Sequence, residues 1–393
     1  MSASPPAMRL TGAAILRDGE LQAAPVAVEG GLISDTRLPE VDLSGFLILP
    51  GIVDLHGDAF ERHLRPRPSA PFPAQQALVS TDRDAAANGL STAWMAQSWS
   101  WEGGHRGPDF AETFLQALDT YRPRMQTDLR VQIRCETHTT DTLERLLEAV
   151  ETHAVGYVIF NNHLDETLAL ADTAPTRLEM MARAIGQSPD AYTDALHHAK
   201  RQAPAVPRYL CTLAAAFDRL GIRYGSHDDR HPETRETYSM IGAKICEFPL
   251  TRTVAKLARA VGDPVLMGAP NVVRGGSQNG HVAATELIAL GKCDALVSDY
   301  HYPSMAAAAF RLADEGVLSL AQAWKLISET PARIMRLADR GTIAEGKRAD
   351  LAIVNADTRQ VEATLVAGRV THLTGEAARR FLASPGRLAM AAE

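Results

Sequence analysis

His56-Gly57-Asp58 sets an imidazole and a carboxylate two positions apart, directly after the apolar run 49–55. On a strand, positions i and i+2 share a face and lie about 6.5–7 Å apart. Both side chains are then expected to converge on one metal ion, with Gly57 leaving room above. Further apolar runs also end in a polar group: Glu136 after LRVQIRC, His163 after YVIFNN, His227 after IRYGS and Asp299 after ALVS. A single histidine at a strand end is more often structural than a ligand, so the recurrence carries the argument. Imidazole nitrogens with carboxylate oxygens suit one or two Zn²⁺ ions, with Mn²⁺ and Fe²⁺ as alternatives. A metal-activated water makes hydrolysis the expected chemistry. Asp299, besides ligating, is the expected base for the water proton.

Phosphoryl chemistry would also need cations, and Arg65, Arg67 and Arg274 are the candidates. Each taken alone is more often a surface residue. Asn271-Val272-Val273-Arg274-Gly275-Gly276-Ser277 combines a forked cation, a hydroxyl and two adjacent glycines whose amides are expected to be open to a phosphate. The competing reading of that string is a tight turn before a helix. No Gly-Lys-Ser/Thr follows, so it is not a nucleotide-triphosphate loop of the Walker type. Glu61, His63, Asp228 and His231 neighbour proposed ligands and are candidates to orient them. Asp228 and Asp229 serve equally well as caps of the turn after their strand.

These groups need a scaffold that brings distant strand ends together. Strand-like runs at 52–56, 92–96, 129–136, 156–163, 222–227, 243–248, 265–269 and 295–299 alternate with stretches of helical spacing such as 109–118, 141–151, 283–290 and 304–313. That alternation predicts an α/β fold, a (β/α)₈ TIM barrel with its site at the C-terminal ends of the strands. Membership of both the 243 and the 265 runs is left open. Short strands punctuated by Asp18-Gly19, Gly30-Gly31 and Gly368 mark both flanks. They predict a small β-sandwich domain from residues 1–50 plus 341–393, around a barrel domain at 51–340. In LRVQIRCE, taken as the fourth strand, Leu129, Val131, Ile133 and Cys135 alternate with Arg130, Gln132, Arg134 and Glu136. The apolar row should face surrounding helices and the polar row the barrel interior. The same parity predicts an Asp54–Arg134 ion pair inside the barrel, since either charge alone there is costly.

A net charge of −7 argues against general nucleic-acid binding, while local arginines still permit an anionic substrate. Four scattered cysteines without a CxxC pair read as reduced thiols. With no signal-peptide pattern and no apolar run near the roughly 20 residues of a membrane span, the expected compartment is the cytoplasm.

The order of a β-rich flank, LPGIVDLHGD, strand-end histidines, SDY and GTIAEGKRADLAIV resembles the amidohydrolase superfamily over nearly the whole chain. Within it, HGDAFERHLRPRP, YGSHDD, MGAPNVVRGGS and SDYHYPSMAAAAFRLAD resemble the diphosphatases of the carbon–phosphorus lyase pathway for phosphonate use. NNHLDET and WSWEGG depart from that pattern. The resemblance implies a metal site carried by His56, Asp58, Glu136, His163, His227 and Asp299. Asp58 would stand where a second histidine is usual, and Glu136 would replace a carboxylated lysine of the fourth strand. It implies hydrolysis of α-D-ribose 1-methylphosphonate 5-triphosphate to the 5-phosphate and pyrophosphate. The implied partner is thus a small phosphorylated ribose phosphonate, with neither nucleic acid nor membrane, and a homo-oligomer is left open. Two other readings stay in view. C–N hydrolysis, by a deaminase or cyclic amidase, would be favoured by an uncharged pocket. A non-catalytic subunit of a phosphonate-processing assembly is disfavoured by six retained ligand candidates.

Overall fold

Eight short runs of apolar and β-branched residues form the strands of one parallel sheet in a computed structural model describing residues 7–67, 70–277 and 280–383. They are β1 (Ile52–Gly57), β2 (Leu90–Trp99), β3 (Asp128–Glu136), β4 (Tyr157–Asn161), β5 (Arg223–His227), β6 (Ile245–Glu247), β7 (Val265–Gly268) and β8 (Ala295–Val297). Each pairs with its neighbour in sequence order. The ends meet where Asp299 N donates to His56 O at 3.0 Å and Asp58 N donates to Asp299 O at 2.8 Å. The result is a (β/α)₈ TIM barrel wrapped by helices, and it includes both the 243 and the 265 runs. LRVQIRCE is its third strand rather than its fourth.

The two faces of β3 divide as the alternation predicts. Leu129, Val131, Ile133 and Cys135 are buried in the layer between barrel and helices. The interior is filled by a separate cluster of Val53, Leu55, Trp94, Tyr157, Ile159, Ile245, Leu266 and Val297, closed by Ala332, Ile334 and Met335. Parity fails in β1. Asp54 pairs with Ala93 and Gly57 with Met95, so three steps on β1 match two on β2. This irregularity lets Leu55 join the interior cluster while His56 also reaches the interior. Asp54 is turned instead toward β8, where it accepts from Ser298 N at 2.9 Å and Ser298 Oγ at 2.6 Å. The predicted Asp54–Arg134 pair is therefore absent: Arg134 points inward as expected, but Asp54 spends its oxygens on Ser298. Gly57 also has a different reason from the one expected. A Cβ there would lie 2.7 Å from Ser298 Oγ and 2.9 Å from Asp54 Oδ2, so it admits a close strand approach rather than room over a metal.

Two further sheets lie outside the barrel, one of four strands from the N-terminal flank and one of six strands from both ends of the chain. In the larger, Phe46–Pro50 pairs with Leu351–Asn355 from the far end of the chain, antiparallel, and with Ala14–Arg17, parallel. Residues of both ends share one core, including Leu10, Val28, Ile48, Ile353, Leu365 and Phe381. Trp324 Nε1 donates to Pro50 O at 2.9 Å and Thr364 Oγ1 to Ala86 O at 2.7 Å, joining these sheets to the barrel. Among the described residues no helix is long and apolar enough to cross a membrane. The four cysteines are free, with Cys135 and Cys246 buried and Cys211 exposed.

At the start of β3, Asp128 gathers Arg130 at 2.9 Å, Arg340 at 2.7 Å and Arg348 at 3.3 Å, tying the barrel floor to the C-terminal flank. Burial opposes its charge, but the arginines win and hold its carboxyl well below the ordinary value. A depressed folded pKa stabilises the protein above the unfolded value of about 3.9, and that contribution fades as pH falls below it. Asp128→Asn is expected to cost about 2 kcal/mol at pH 7. In urea unfolding the gap between variant and parent should narrow steadily from pH 4 downward; a gap independent of pH would contradict this origin.

The connection from β4 to β5 is long and carries helices Leu164–Thr173, Pro175–Ile185 and Pro189–Gln202 before Val206–Leu220 packs on the barrel. The first three bury a small core of their own around Trp101, Leu178, Ile185, Tyr192 and Leu196. WSWEGG docks into it. Tyr192 donates to Glu102 Oε1 at 3.2 Å, and any Cβ on Gly104 (φ +57°) would collide with Ile185 O at 2.1 Å.

Candidate metal centre and adjoining cleft

Glu247 ends β6 fully buried, where a lone carboxylate would be costly. Its Oε2 lies 2.9 Å from His56 Nδ1 and 3.1 Å from His227 Nδ1. Its Oε1 accepts from Gln132 Nε2 at 2.7 Å and from Tyr157 OH at 2.6 Å. The two imidazoles stack at 5.0 Å between centroids, and the Phe248 ring meets both edge-on. One ligand atom from each of His56, His227 and Glu247 can be chosen so that all lie within 4.8 Å of one another. Two imidazoles and a carboxylate converging at that separation fit a divalent cation of the zinc type.

A wider ring of charge encloses these three. Arg134 Nη2 approaches His227 Nε2 at 3.4 Å, and its Nη1 lies 3.8 Å from Asp58 Oδ2. Glu136 accepts from His163 Nδ1 at 2.6 Å and from His163 N at 3.2 Å. Asp228 stands 3.8 Å from His163 Nε2 and 3.6 Å from His227 Nε2. Asp228 and Asp299 both adopt left-handed backbone, with φ of +57° and +54°, just past the ends of β5 and β8. Aspartate tolerates that region, and the turn directs each side chain at the strand mouth.

Burial and neighbours split the acids. Burial and then the Asp58 charge push the Asp299 carboxyl up to about 6. Asp58 is raised by burial and by Glu61. Glu61 goes the other way: burial opposes its charge, yet His105 and Arg106 outweigh it and hold it at about 2. For Glu247, burial is likewise overcome, by the charge and hydrogen bonding of His56 and His227, so it stays well below the ordinary range. Burial disfavours a charge on His56 too, but Glu247 raises it, whereas burial prevails at His227 and lowers it.

The six expected ligands thus meet at one mouth, with His56 and His227 at the centre and Asp58, Glu136, His163 and Asp299 around them. Glu136 arrives from the third strand; the fourth ends at Asn161, with His163 two residues beyond. Of the expected orienters, Asp228 belongs to the ring and Glu61 lies behind Asp58. His63 turns away to Asp84 at 3.6 Å, and His231 is exposed before the helix Pro232–Met240. Glu247 and Arg134 are the functional candidates that sequence reasoning missed. Asking which polar residue ends the 243–248 run would have found Glu247.

Beside the centre opens a cleft of about 200 Å³, walled by His227, Asp228 and Asp299 on one side and by Asn271, Arg274, Gly276 and Ser277 on the other. The supposed loop begins as a helix, Ala269–Arg274, with Pro270 in its first turn. Gly275 N donates to Val272 O at 3.1 Å and Gly276 N to Asn271 O at 2.9 Å. These glycine amides cap the helix's own carbonyls, so they are not open to a phosphate as expected. Asn271 Oδ1 accepts from Ala284 N at 2.9 Å, and Ser277 Oγ from His281 N at 3.2 Å. Arg274 Nη1 donates to Tyr300 OH at 3.3 Å on the rim. Arg67 is exposed outside this cleft, and Arg65 donates to Ile185 O at 3.3 Å.

A closed parallel barrel with imidazoles and carboxylates gathered at its C-terminal mouth is an arrangement able to hold a divalent cation where such barrels carry their active sites. Residues 212–372 match a family model described as the amidohydrolase family. The chain is 34% identical over 367 residues to the α-D-ribose 1-methylphosphonate 5-triphosphate diphosphatase of Escherichia coli (strain K12), covering 88% of this chain and 95% of that one. The protein belongs to the amidohydrolase family. Solved structures share its fold at low identity. N-acetylglucosamine-6-phosphate deacetylase from Pasteurella multocida superposes with a TM-score of 0.63 at 12% identity, covering 93% of this chain and 99% of that one. Beta-aspartyl dipeptidase from Fervidobacterium islandicum AW-1 gives 0.60 at 12%, over 93% and 97%.

Proposed function

We propose that the protein is a metal-dependent diphosphatase that hydrolyses α-D-ribose 1-methylphosphonate 5-triphosphate to the 5-phosphate and pyrophosphate. The observation that carries this reading is the shared cleft: Asp299, His227 and Asp228 face Arg274 and Ser277 across one space. The Escherichia coli relative, matched over nearly its full length, supports the same substrate. His56, His227 and Glu247, with Asp58, Glu136, His163 and Asp299 nearby, would hold a divalent cation, which would supply Lewis-acid polarisation and lower the pKa of water. Asp299, with its carboxyl near 6, takes the proton of the attacking water. Arg274 holds phosphate oxygens on the leaving side, and the Arg134 guanidinium offsets charge that develops near the centre.

Arg274→Ala is expected to raise KM for the triphosphate about tenfold or more, with a smaller change in kcat, because a charged contact to ground-state phosphate is lost. Steady-state kinetics checks the split; an unchanged KM would remove Arg274 from the substrate site. The reaction itself is tested by incubating metal-loaded protein with the triphosphate and following products by phosphorus NMR. Pyrophosphate with the 5-phosphate is the expected pair. Orthophosphate as the sole released product, or inertness toward the triphosphate while a cyclic amide opens, would overturn the reading in favour of another hydrolysis.

A further inference from the structure

The barrel has a second cleft, of about 720 Å³, at the N-terminal ends of its strands and so on the face opposite the candidate metal centre. Four arginines line it: Arg122, Arg130, Arg223 and Arg336. Two of them are accounted for. Arg130 pairs with Asp128 at 2.9 Å and lies over the Trp94 ring at 5.0 Å, and Arg122 pairs with Asp119 at 2.9 Å.

Arg223 and Arg336 are different. Arg223 opens β5 and shares the inward parity of His227. Its Nε is buried with no hydrogen-bond partner. Burial lowers its pKa, and the nearby Arg336 charge lowers it further. Among the described residues neither guanidinium makes an ion pair. Arg336 follows the helix Glu329–Ile334 in left-handed backbone, φ +57°, a conformation that long side chains rarely adopt. Asp119 and Asp128 also line the cleft, but they pair with Arg122, His153, Arg130, Arg340 and Arg348, which leaves Arg223 and Arg336 as two like charges on the floor of the barrel without a carboxylate partner among the described residues.

We propose that this floor cleft is a second anion site, in which Arg223 and Arg336 together grip the phosphate group of a small molecule. Paired guanidinium forks match tetrahedral oxyanions in both charge and geometry. Free phosphate and a phosphate monoester share that chemistry. The site stands apart from Arg274 and from the proposed reaction, so either assignment can fail without the other.

Calorimetric titration of the full-length protein with inorganic phosphate, and separately with ribose 5-phosphate, tests this. Arg274→Ala is expected to leave one phosphate site intact. Arg336→Gln, at an exposed position that should not disturb folding, is expected to weaken that site about tenfold or more. Arg223→Gln, checked by circular dichroism, should weaken the same site. Tighter binding of ribose 5-phosphate would assign an esterified ligand, and equal binding would assign free phosphate. Loss of all phosphate binding in Arg274→Ala, unchanged binding in both arginine-to-glutamine variants, or no binding by the parent protein would overturn the proposal.

Discussion

Glu247→Gln is expected to weaken zinc binding by about 100-fold or more and to abolish turnover at ordinary metal concentrations. The physical reason is the double duty of this carboxylate. Its Oε2 faces the Nδ1 atoms of both His56 and His227, and its other oxygen is held by Gln132 and Tyr157. An amide of the same shape keeps the packing but removes the charge, and it turns one acceptor position into a donor. The two imidazoles then lose the group that fixes their orientation and offsets a bound cation. Dialysis against zinc buffers of fixed free concentration, followed by elemental analysis, measures the effect. Wild-type zinc content in a folded Glu247→Gln variant would move the centre away from these three residues.

Asp299→Asn is expected to lower kcat by about 10²–10⁴-fold while metal content stays at the parental level. Burial and the Asp58 charge place this carboxyl near 6, close enough to neutrality to accept a proton and release it again. Its backbone is locked between His56 and Asp58 by two hydrogen bonds, so the substitution should leave the mouth of the barrel in place. Elemental analysis beside single-turnover kinetics separates the roles. Loss of metal together with turnover would make Asp299 chiefly a ligand, and a kcat within threefold of the parent would exclude it as the base.

Much of this architecture was legible in the chain. All eight strand runs were recognisable because apolar periodicity and length mark them, and their polar ends pointed to the mouth. Asp54 is the exception: a one-step irregularity in β1 leaves no composition signature, yet it takes Asp54 off the interior face that strict alternation shares with His56. The segment 271–277 reads as a loop because Gly275 and Gly276 suggest an open turn; Ala269 and Pro270 instead open a short helix, and the glycines close it. The helices between His163 and Gln202 bury a small core of their own rather than a stripe facing the barrel, so the β–α alternation does not announce them. Glu247 follows the same strand-end logic as His56, but its run continues into the apolar Phe248, so no polar residue closes it in the sequence.

Release of pyrophosphate by protein stripped with chelator and then titrated with Zn²⁺ tests the central claim most directly. Phosphorus NMR with the ribose phosphonate triphosphate should show no pyrophosphate from the stripped protein. Pyrophosphate should then appear in proportion to added metal until the centre is filled. Undiminished release after complete stripping, or no pyrophosphate at any metal loading, would contradict a metal-dependent diphosphatase built on His56, His227 and Glu247.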